Sequence, residues 1–152
     1  MLKIPLLLGL IARLSAASLE SNLVDLHNKA RTAVGAPPLE WSSQLARHAS
    51  AWAKTLLEHN KFEHSKNSGF GENLYEIRGG SATPSDVLDA WVGEKNNYNY
   101  KANSCKGVCG HYTQVVWSST TRVGCAVARG RGREVWVCNY DPPGNWIGRR
   151  PY

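Results

Sequence analysis

The sequence has no apolar run long enough to cross a bilayer. Its most apolar stretch, residues 4–10, is far shorter than the roughly 20 residues that a membrane-spanning helix needs. It also lacks the Gly-x-Ser-x-Gly motif of serine hydrolases and the His-Glu-x-x-His motif of zinc peptidases. These absences argue against an integral membrane protein and against two common classes of hydrolase.

The N-terminus is typical of a signal peptide. Lys3 supplies a positive charge, residues 4–10 supply a short apolar segment, and small residues follow at 15–18. We therefore expect export, with a cut after Ala17. This leaves residues 18–152, a normal size for one domain.

Cysteine is scarce, with only four in the chain. In an exported protein, four cysteines predict two disulfides, and three pairings are conceivable. Cys105 and Cys109 are close enough in sequence to pair across a short loop. A two-residue turn at 131–132 would place Cys125 opposite Cys138 on a hairpin. The spacing therefore favours Cys105–Cys109 and Cys125–Cys138.

Acidic residues are rare in the last third of the chain. Residues 101–152 carry eight basic and only two acidic side chains. Such a basic region favours acidic cell-wall polymers or anionic membranes as partners, or it is simply a solvated surface. Nucleic acid is not an expected partner, because the chain has no basic helix and no base-stacking motif.

Hydrophobic periodicity predicts an α+β domain. Three helices are expected: one over 19–34, one capped by Ser42 or Ser43, and one from Thr83 to about Asn97. Strands are expected at 113–117, 122–128 and 134–140, the last two forming the hairpin. We expect irregular loop structure over 63–80, and an extended tail over 142–152, which is rich in proline and glycine.

One carboxylate stands out on the third predicted helix. Glu94 lies on an otherwise apolar or aromatic stripe, and burying an unpaired charge is costly, so it needs a partner. Three candidates are His64, Glu72 and His111. Two histidines and two carboxylates are a plausible divalent-metal site, with imidazole suited to zinc. Alternatively, these groups satisfy one another in a polar core network.

Two long motifs point to a known family. Residues 110–117 (GHYTQVVW) and 138–146 (CNYDPPGNW) closely resemble the CAP superfamily, which comprises cysteine-rich secretory, antigen 5 and pathogenesis-related 1 proteins. The resemblance is strongest to the plant pathogenesis-related 1 type and extends from about Ser18 to Tyr152. His64-Ser65, residues 71–73 (GEN) and residues 91–95 (WVGEK) match further landmarks of the family in the same order.

The resemblance implies a fold and a cleft. The family fold is a three-layer α-β-α sandwich (the CAP or SCP domain) with a central antiparallel sheet. The matching motifs carry the family's cleft tetrad onto His64, Glu72, Glu94 and His111, and a divalent ion such as zinc can be held through His64 and His111. No reaction is settled for the family, so an enzyme is not predicted. A metal-dependent hydrolase is kept only as the least favoured alternative.

The resemblance also implies a function outside the cell. We expect a secreted defence protein of the plant apoplast that acts on fungi or oomycetes by binding sterols or other membrane lipids. An aromatic segment, Trp91, Tyr98 and Tyr100, is the candidate lipid-binding set, because aromatic faces can cover flat apolar rings. Alternatively, Trp91 and Tyr98 are core residues.

A second function concerns the tail. It matches a family pattern in which cleavage releases a peptide, here Pro142 to Tyr152, with the cut between Asp141 and Pro142. Such a peptide would need a processing protease and a receptor. The alternative is a tail that only packs over the sheet edge.

Overall fold

The computed structural model describes residues 6–152, with side chains from Leu19 onward. The predicted signal peptide, residues 1–17, lies outside the residues whose side chains are described and stays a prediction. The described elements, in chain order, are α1 (Leu6–Thr32), β1 (Glu40–Trp41), α2 (Ser43–Glu58), β2 (Gly71–Arg78), α3 (Pro84–Gly93), a 3-10 helix (Glu94–Asn97), β3 (Tyr98–Asn99), β4 (Ser104–Cys105), α4 (Gly110–Val115), β5 (Arg122–Gly130) and β6 (Arg133–Asp141).

The central sheet has the strand order β1-β5-β6-β2. The three long strands are antiparallel, whereas the two-residue β1 pairs with β5 in parallel. The expected antiparallel sheet is therefore present in the three long strands, and β1 adds one short parallel pair at its edge. A separate small sheet pairs β3 with β4.

The β5–β6 hairpin has the predicted register. Arg131 and Gly132 both have positive φ, at 54° and 67°, as a two-residue type I′ turn requires. The turn aligns Cys125 with Cys138, whose Cα atoms lie 4.0 Å apart, and the two are bonded. Cys105 and Cys109 form the other disulfide. Both predicted pairings are confirmed.

The sheet is buried on both faces, which gives the three layers. Along β6, Val135 and Val137 pack in one core cluster, and Trp136 and Tyr140 pack in the other. This alternation follows the two-residue period of a strand. α2 covers the first face, and α1, α3 and α4 cover the second. The α-β-α sandwich is therefore confirmed.

α2 packs closely because of its cap and one glycine. Ser42 accepts a hydrogen bond from the amide of Leu45, which confirms one of the two predicted caps. A side chain at Gly124 would place its Cβ 2.3 Å from the Ala46 nitrogen and 2.5 Å from the Ser42 oxygen. Only glycine therefore lets this end of α2 lie against β5.

Two predicted segments were wrong. The expected strand at 113–117 is the helix α4. Residues 112–117 are all buried, and a run that is buried on every side has no periodicity by which to tell a helix from a strand. The expected loop at 63–80 contains β2. This edge strand has a mixed burial pattern because Glu72 and Asn73 interrupt the alternation.

The third predicted helix was nearly correct. α3 begins with a capping box between Thr83 and Asp86 and ends at Gly93. The chain then tightens into the 3-10 helix, so Glu94 lies at the junction of the two helices. Within the described part of the chain, no helix is long and apolar enough to cross a membrane.

Candidate functional site

A small cleft opens where β2 begins and α4 begins. Its volume is about 220 Å³. It is lined by His64, Glu72, Asn73, Val108, Gly110, His111 and Asn145. Three members of the predicted tetrad therefore line one cavity, and the fourth, Glu94, is hydrogen-bonded to His111.

The first half of the tetrad pairs His64 with Glu72. His64 Nδ1 lies 2.7 Å from Glu72 Oε1, and Ser65 donates to the same carboxylate through its amide (3.0 Å) and its hydroxyl (2.6 Å). The hydrogen bond to Glu72 raises the pKa of His64 above its ordinary value. Burial alone would raise the pKa of Glu72, but the hydrogen bonds from His64 and Ser65 outweigh it and lower that pKa.

The second half pairs His111 with Glu94. His111 Nδ1 lies 2.7 Å from Glu94 Oε1, and Glu94 Oε2 accepts from the amides of His111 (3.0 Å) and Tyr112 (3.3 Å). These amides belong to the first turn of α4, where the helix dipole favours a negative charge. Glu94 therefore holds both the imidazole and the start of the helix that carries it.

The two halves of the tetrad have the same hydrogen-bonding arrangement. Each histidine directs Nδ1 to a carboxylate, and among the described residues no hydrogen bond engages either Nε2. This is the outer-shell arrangement that orients metal-binding imidazoles. However, no group of three or more His, Cys, Asp or Glu in the described part of the chain is arranged to hold a metal ion.

A buried polar chain supports the floor of the cleft. Asn73 Nδ2 donates to the carbonyl of His111 (3.1 Å) and to the Tyr140 hydroxyl (3.2 Å). Tyr140 in turn lies 2.8 Å from Nε2 of His27, whose Nδ1 lies 2.7 Å from the carbonyl of Leu23. Burial lowers the pKa of His27 to about 4, so it is neutral at neutral pH. The sequence analysis missed this chain, because its members are distant in sequence.

Arg31 fixes the other end of α4. It is fully buried, and its Nη1 donates to the carbonyls of Val115 (3.0 Å) and Trp117 (2.8 Å). Its Nη2 and Nε donate to the carbonyls of Thr120 (2.9 Å) and Pro37 (2.6 Å). Helix C-termini leave carbonyls unsatisfied, and Arg31 supplies their donors. The sequence analysis did not identify this residue, which lies on the apolar side of α1.

The three predicted lipid-binding residues do not form one accessible face. Trp91 is only 2 % exposed and donates through its indole to the carbonyl of Leu74, so the structure places it in the core. Tyr98 is half-buried and donates to Asn103. Tyr100 is exposed and stacks on Tyr152 of the tail, with centroids 4.9 Å apart.

The tail has no helix or strand after Asp141, as predicted, but it is held at several points. Asn145 donates to the carbonyl of Gly110 (2.8 Å) and accepts from Thr113 (2.7 Å). Further contacts along the tail are Thr120 with the Pro142 carbonyl, Gln114 with the Gly144 amide, Ser118 with the Pro151 carbonyl, and Tyr112 with the Tyr152 hydroxyl. Asn145 thereby becomes part of the cleft wall.

The chain is similar to proteins of one family. The profile of the cysteine-rich secretory protein (CAP) family matches residues 24–140. Pathogenesis-related protein 1 of Arabidopsis thaliana is 42 % identical over 145 residues, which cover 95 % of this chain and 89 % of that protein.

Solved structures show the same fold. Venom allergen-like protein 4 of Schistosoma mansoni aligns with a TM-score of 0.72 and 29 % identity, over 88 % of this chain and 92 % of that one. NaASP2, solved with Zn²⁺, aligns with a TM-score of 0.74 and 23 % identity, over 88 % and 84 %. The chain belongs to the cysteine-rich secretory protein family and is of the pathogenesis-related protein 1 type.

Proposed function

We propose that this protein is secreted into the apoplast and defends the plant by inhibiting fungi or oomycetes, through binding of sterols or other lipids of their membranes. The observation that carries the proposal is the match to pathogenesis-related protein 1 over nearly the whole of both chains. The two disulfides are consistent with an oxidising compartment.

The surface around Tyr98 and Tyr100 is the proposed lipid contact. A groove of about 280 Å³ lies beside Tyr98, between the β3–β4 hairpin and the tail. Trp146, which is 56 % exposed, lines the same groove and adds accessible aromatic surface, whereas Trp117 lines it but is only 4 % exposed. Trp91 has no direct role in this proposal because it is enclosed in the core.

Titration with ergosterol tests the lipid contact. Saturable binding by the purified protein is expected, and Tyr100→Ala should weaken it several-fold. Phe62→Ala is the matched control: Phe62 is also an exposed aromatic, at 51 %, but it follows α2 and lies outside both this groove and the β3–β4 hairpin that carries Tyr100. Absence of saturable binding, or equal loss in both variants, contradicts the proposal.

A divalent ion such as zinc is proposed as an exchangeable ligand of the cleft. Nε2 of His64 and Nε2 of His111 would hold it, since both Nδ1 atoms are already engaged by carboxylates. When bound, the ion would add a positive charge that attracts anionic groups to the cleft. Calorimetry with ZnCl₂ should show binding that is lost in His64→Ala and in His111→Ala. Unchanged binding in both variants would exclude the site.

A second candidate function is that of a peptide precursor. The tail carries no regular structure, which favours protease access. However, Thr121 donates to the carbonyl of Asp141 at the proposed cut, and Arg122 pairs with its carboxylate. Because the tail is also held at several later points, we expect a cleaved peptide to remain bound until the domain loosens. A processing protease and a receptor complete this proposal.

Mass spectrometry of fluid from infected tissue tests it. The expected product is the peptide from Pro142 to Tyr152, released fully only after mild denaturation. Its absence from stressed tissue, with the tail intact on the domain, would leave packing as the role of the tail. We propose no hydrolase function, since proteins of this family and type are not established enzymes.

A further inference from the structure

Three exposed apolar side chains lie on the tail and on the loop between Cys105 and Cys109. Ile147 is fully exposed, and Trp146 and Val108 are exposed by 56 % and 62 %. Isolated apolar residues on a surface are ordinary, but these three are not isolated. Val108 lines the cleft beside Asn145 and Gly110, and Trp146 lines the neighbouring groove beside the same two residues. We call Val108, Trp146 and Ile147 the apolar tip.

The tip is held in place by hydrogen bonds. The Trp146 indole donates to the carbonyl of Pro143 (2.9 Å), and the Arg149 amide donates to the carbonyl of Trp146 (3.0 Å), which closes a turn around Ile147. On the other side, Asn97 donates to the carbonyl of Val108 (2.8 Å). The exposure of Ile147 is therefore set by a defined turn.

The segments that carry the apolar tip are basic. The two segments that build this face, residues 98–111 and 142–152, contain four basic side chains and no acidic one. These are Lys101, Lys106, Arg149 and Arg150, all exposed. Glu72 lines the cleft and Glu94 lies beside it, and each carboxylate is hydrogen-bonded to a histidine. The net field at this face is consequently positive.

We propose that the apolar tip and its four cations dock onto the surface of an anionic phospholipid bilayer. Tryptophan is suited to the membrane interface, and an exposed isoleucine gains by leaving water for the acyl region. Each lysine or arginine near an anionic surface adds attraction. A polyanionic polymer would use the cations but would leave Ile147 without a role. This docking requires no sterol; it rests on the lipid binding proposed above and names a phospholipid surface as one target.

Vesicle sedimentation tests the docking, with the protein as recovered from the medium of an expressing eukaryotic cell. The vesicles contain phosphatidylcholine alone or with phosphatidylserine, and no sterol. Binding is expected to the anionic vesicles and to fall with added salt. Ile147→Ser should lower the partition coefficient about tenfold. Folding should persist in this variant, because Ile147 makes no buried contact.

Phe62→Ser provides the matched control. Phe62 is also an exposed apolar residue, but it lies at the far end of β6. The backbone carbonyl of its neighbour Lys61 accepts from Arg133 at the start of β6, whereas the tail leaves from Asp141 at its end. It should leave the partition coefficient unchanged.

Quenching of tryptophan fluorescence by brominated phospholipid supplies a second readout. We expect quenching when the unsubstituted protein binds these vesicles, and less quenching with Trp146→Phe. Three outcomes would overturn the proposal. The first is no binding to anionic vesicles, and the second is binding that is weakened by substitution of Arg149 but not of Ile147. The third is a dimer that depends on Ile147 and does not bind vesicles. The second outcome would indicate a polyanion, and the third a second copy of this chain. Failure of ergosterol titration would leave this result unaffected.

Discussion

The indole of Trp91 lies parallel to the imidazole of His111, with the ring centroids 6.2 Å apart and an interplanar angle of 11°. Trp91 belongs to the core, and His111 lines the cleft. The aromatic stripe of α3 therefore touches the cleft from inside the molecule. Trp91 therefore affects the site by holding the His111 ring in position, since it packs against the ring face that is turned to the core.

This relationship predicts that Trp91 acts through stability. Trp91→Phe removes the hydrogen bond to Leu74 and part of the buried ring, and should lower the free energy of unfolding by about 2 kcal/mol. Chemical denaturation measures the change. Trp146→Phe, at an exposed tryptophan, should change it by less than about 0.5 kcal/mol. Loss of ergosterol affinity in fully folded Trp91→Phe would instead indicate direct lipid contact.

The His64–Glu72 pair predicts a measurable titration. Because the pKa of His64 is raised, Glu72→Gln should return it toward the ordinary value of 6.5. The raised pKa of His64 stabilises the fold at pH values below 6.5. This contribution is lost as the pH rises through the raised pKa. NMR titration of the His64 ring proton measures the pKa. Glu94→Gln serves as the control and should leave it unchanged; equal shifts in both variants would contradict the assignment.

His27 predicts the opposite dependence on pH. Its pKa is about 4 in the folded protein and 6.5 when solvated, so the unfolded chain binds the extra proton. The stabilising contribution of neutral, buried His27 should therefore be fully present above pH 6.5. The free energy of unfolding should fall by on the order of 3 kcal/mol from this group as the pH drops to 4. The free energy of unfolding, measured by denaturation across this pH range, should change more steeply with pH in the protein than in His27→Gln. Equal slopes would show that His27 is not buried in its neutral form.

Arg31 predicts a large cost for a conservative change. Arg31→Lys retains the charge but cannot reach four carbonyl groups on three segments, and should destabilise the fold by about 3 kcal/mol. Arg47→Lys, at an exposed arginine of α2, should change stability by less than about 0.5 kcal/mol. A small effect of Arg31→Lys in thermal and chemical denaturation would mean that water replaces the missing donors.

Local rules predicted the parts of the fold that depend on neighbours in sequence. The 131–132 turn set the hairpin register and with it the Cys125–Cys138 bridge, and the Thr83 capping box set the start of α3. α4 was missed because a segment buried on every side carries no periodicity. β2 was missed because a cleft-edge strand alternates poorly.

The candidate site was predictable to a different degree. Spacing indicated only that Glu94 needed a partner, and the resemblance to a family supplied the tetrad. Neither indicated that His64 pairs with Glu72 and His111 with Glu94. The first pairing depends on the path of the loop between residues 64 and 72, and the second depends on how the end of α3 meets the start of α4. The buried supports, His27 and Arg31, lie on α1 and bond to segments more than eighty residues away.

The claim that this pathogenesis-related protein 1 type chain acts by binding membrane lipid is tested most directly by a lipid-binding assay on the secreted protein. Ergosterol and a plant sterol are titrated with and without a chelator. The account predicts saturable binding that persists in the chelator, because the proposed lipid contact at Tyr98 and Tyr100 does not involve His64 or His111. Absence of saturable binding to either sterol under both conditions would contradict it.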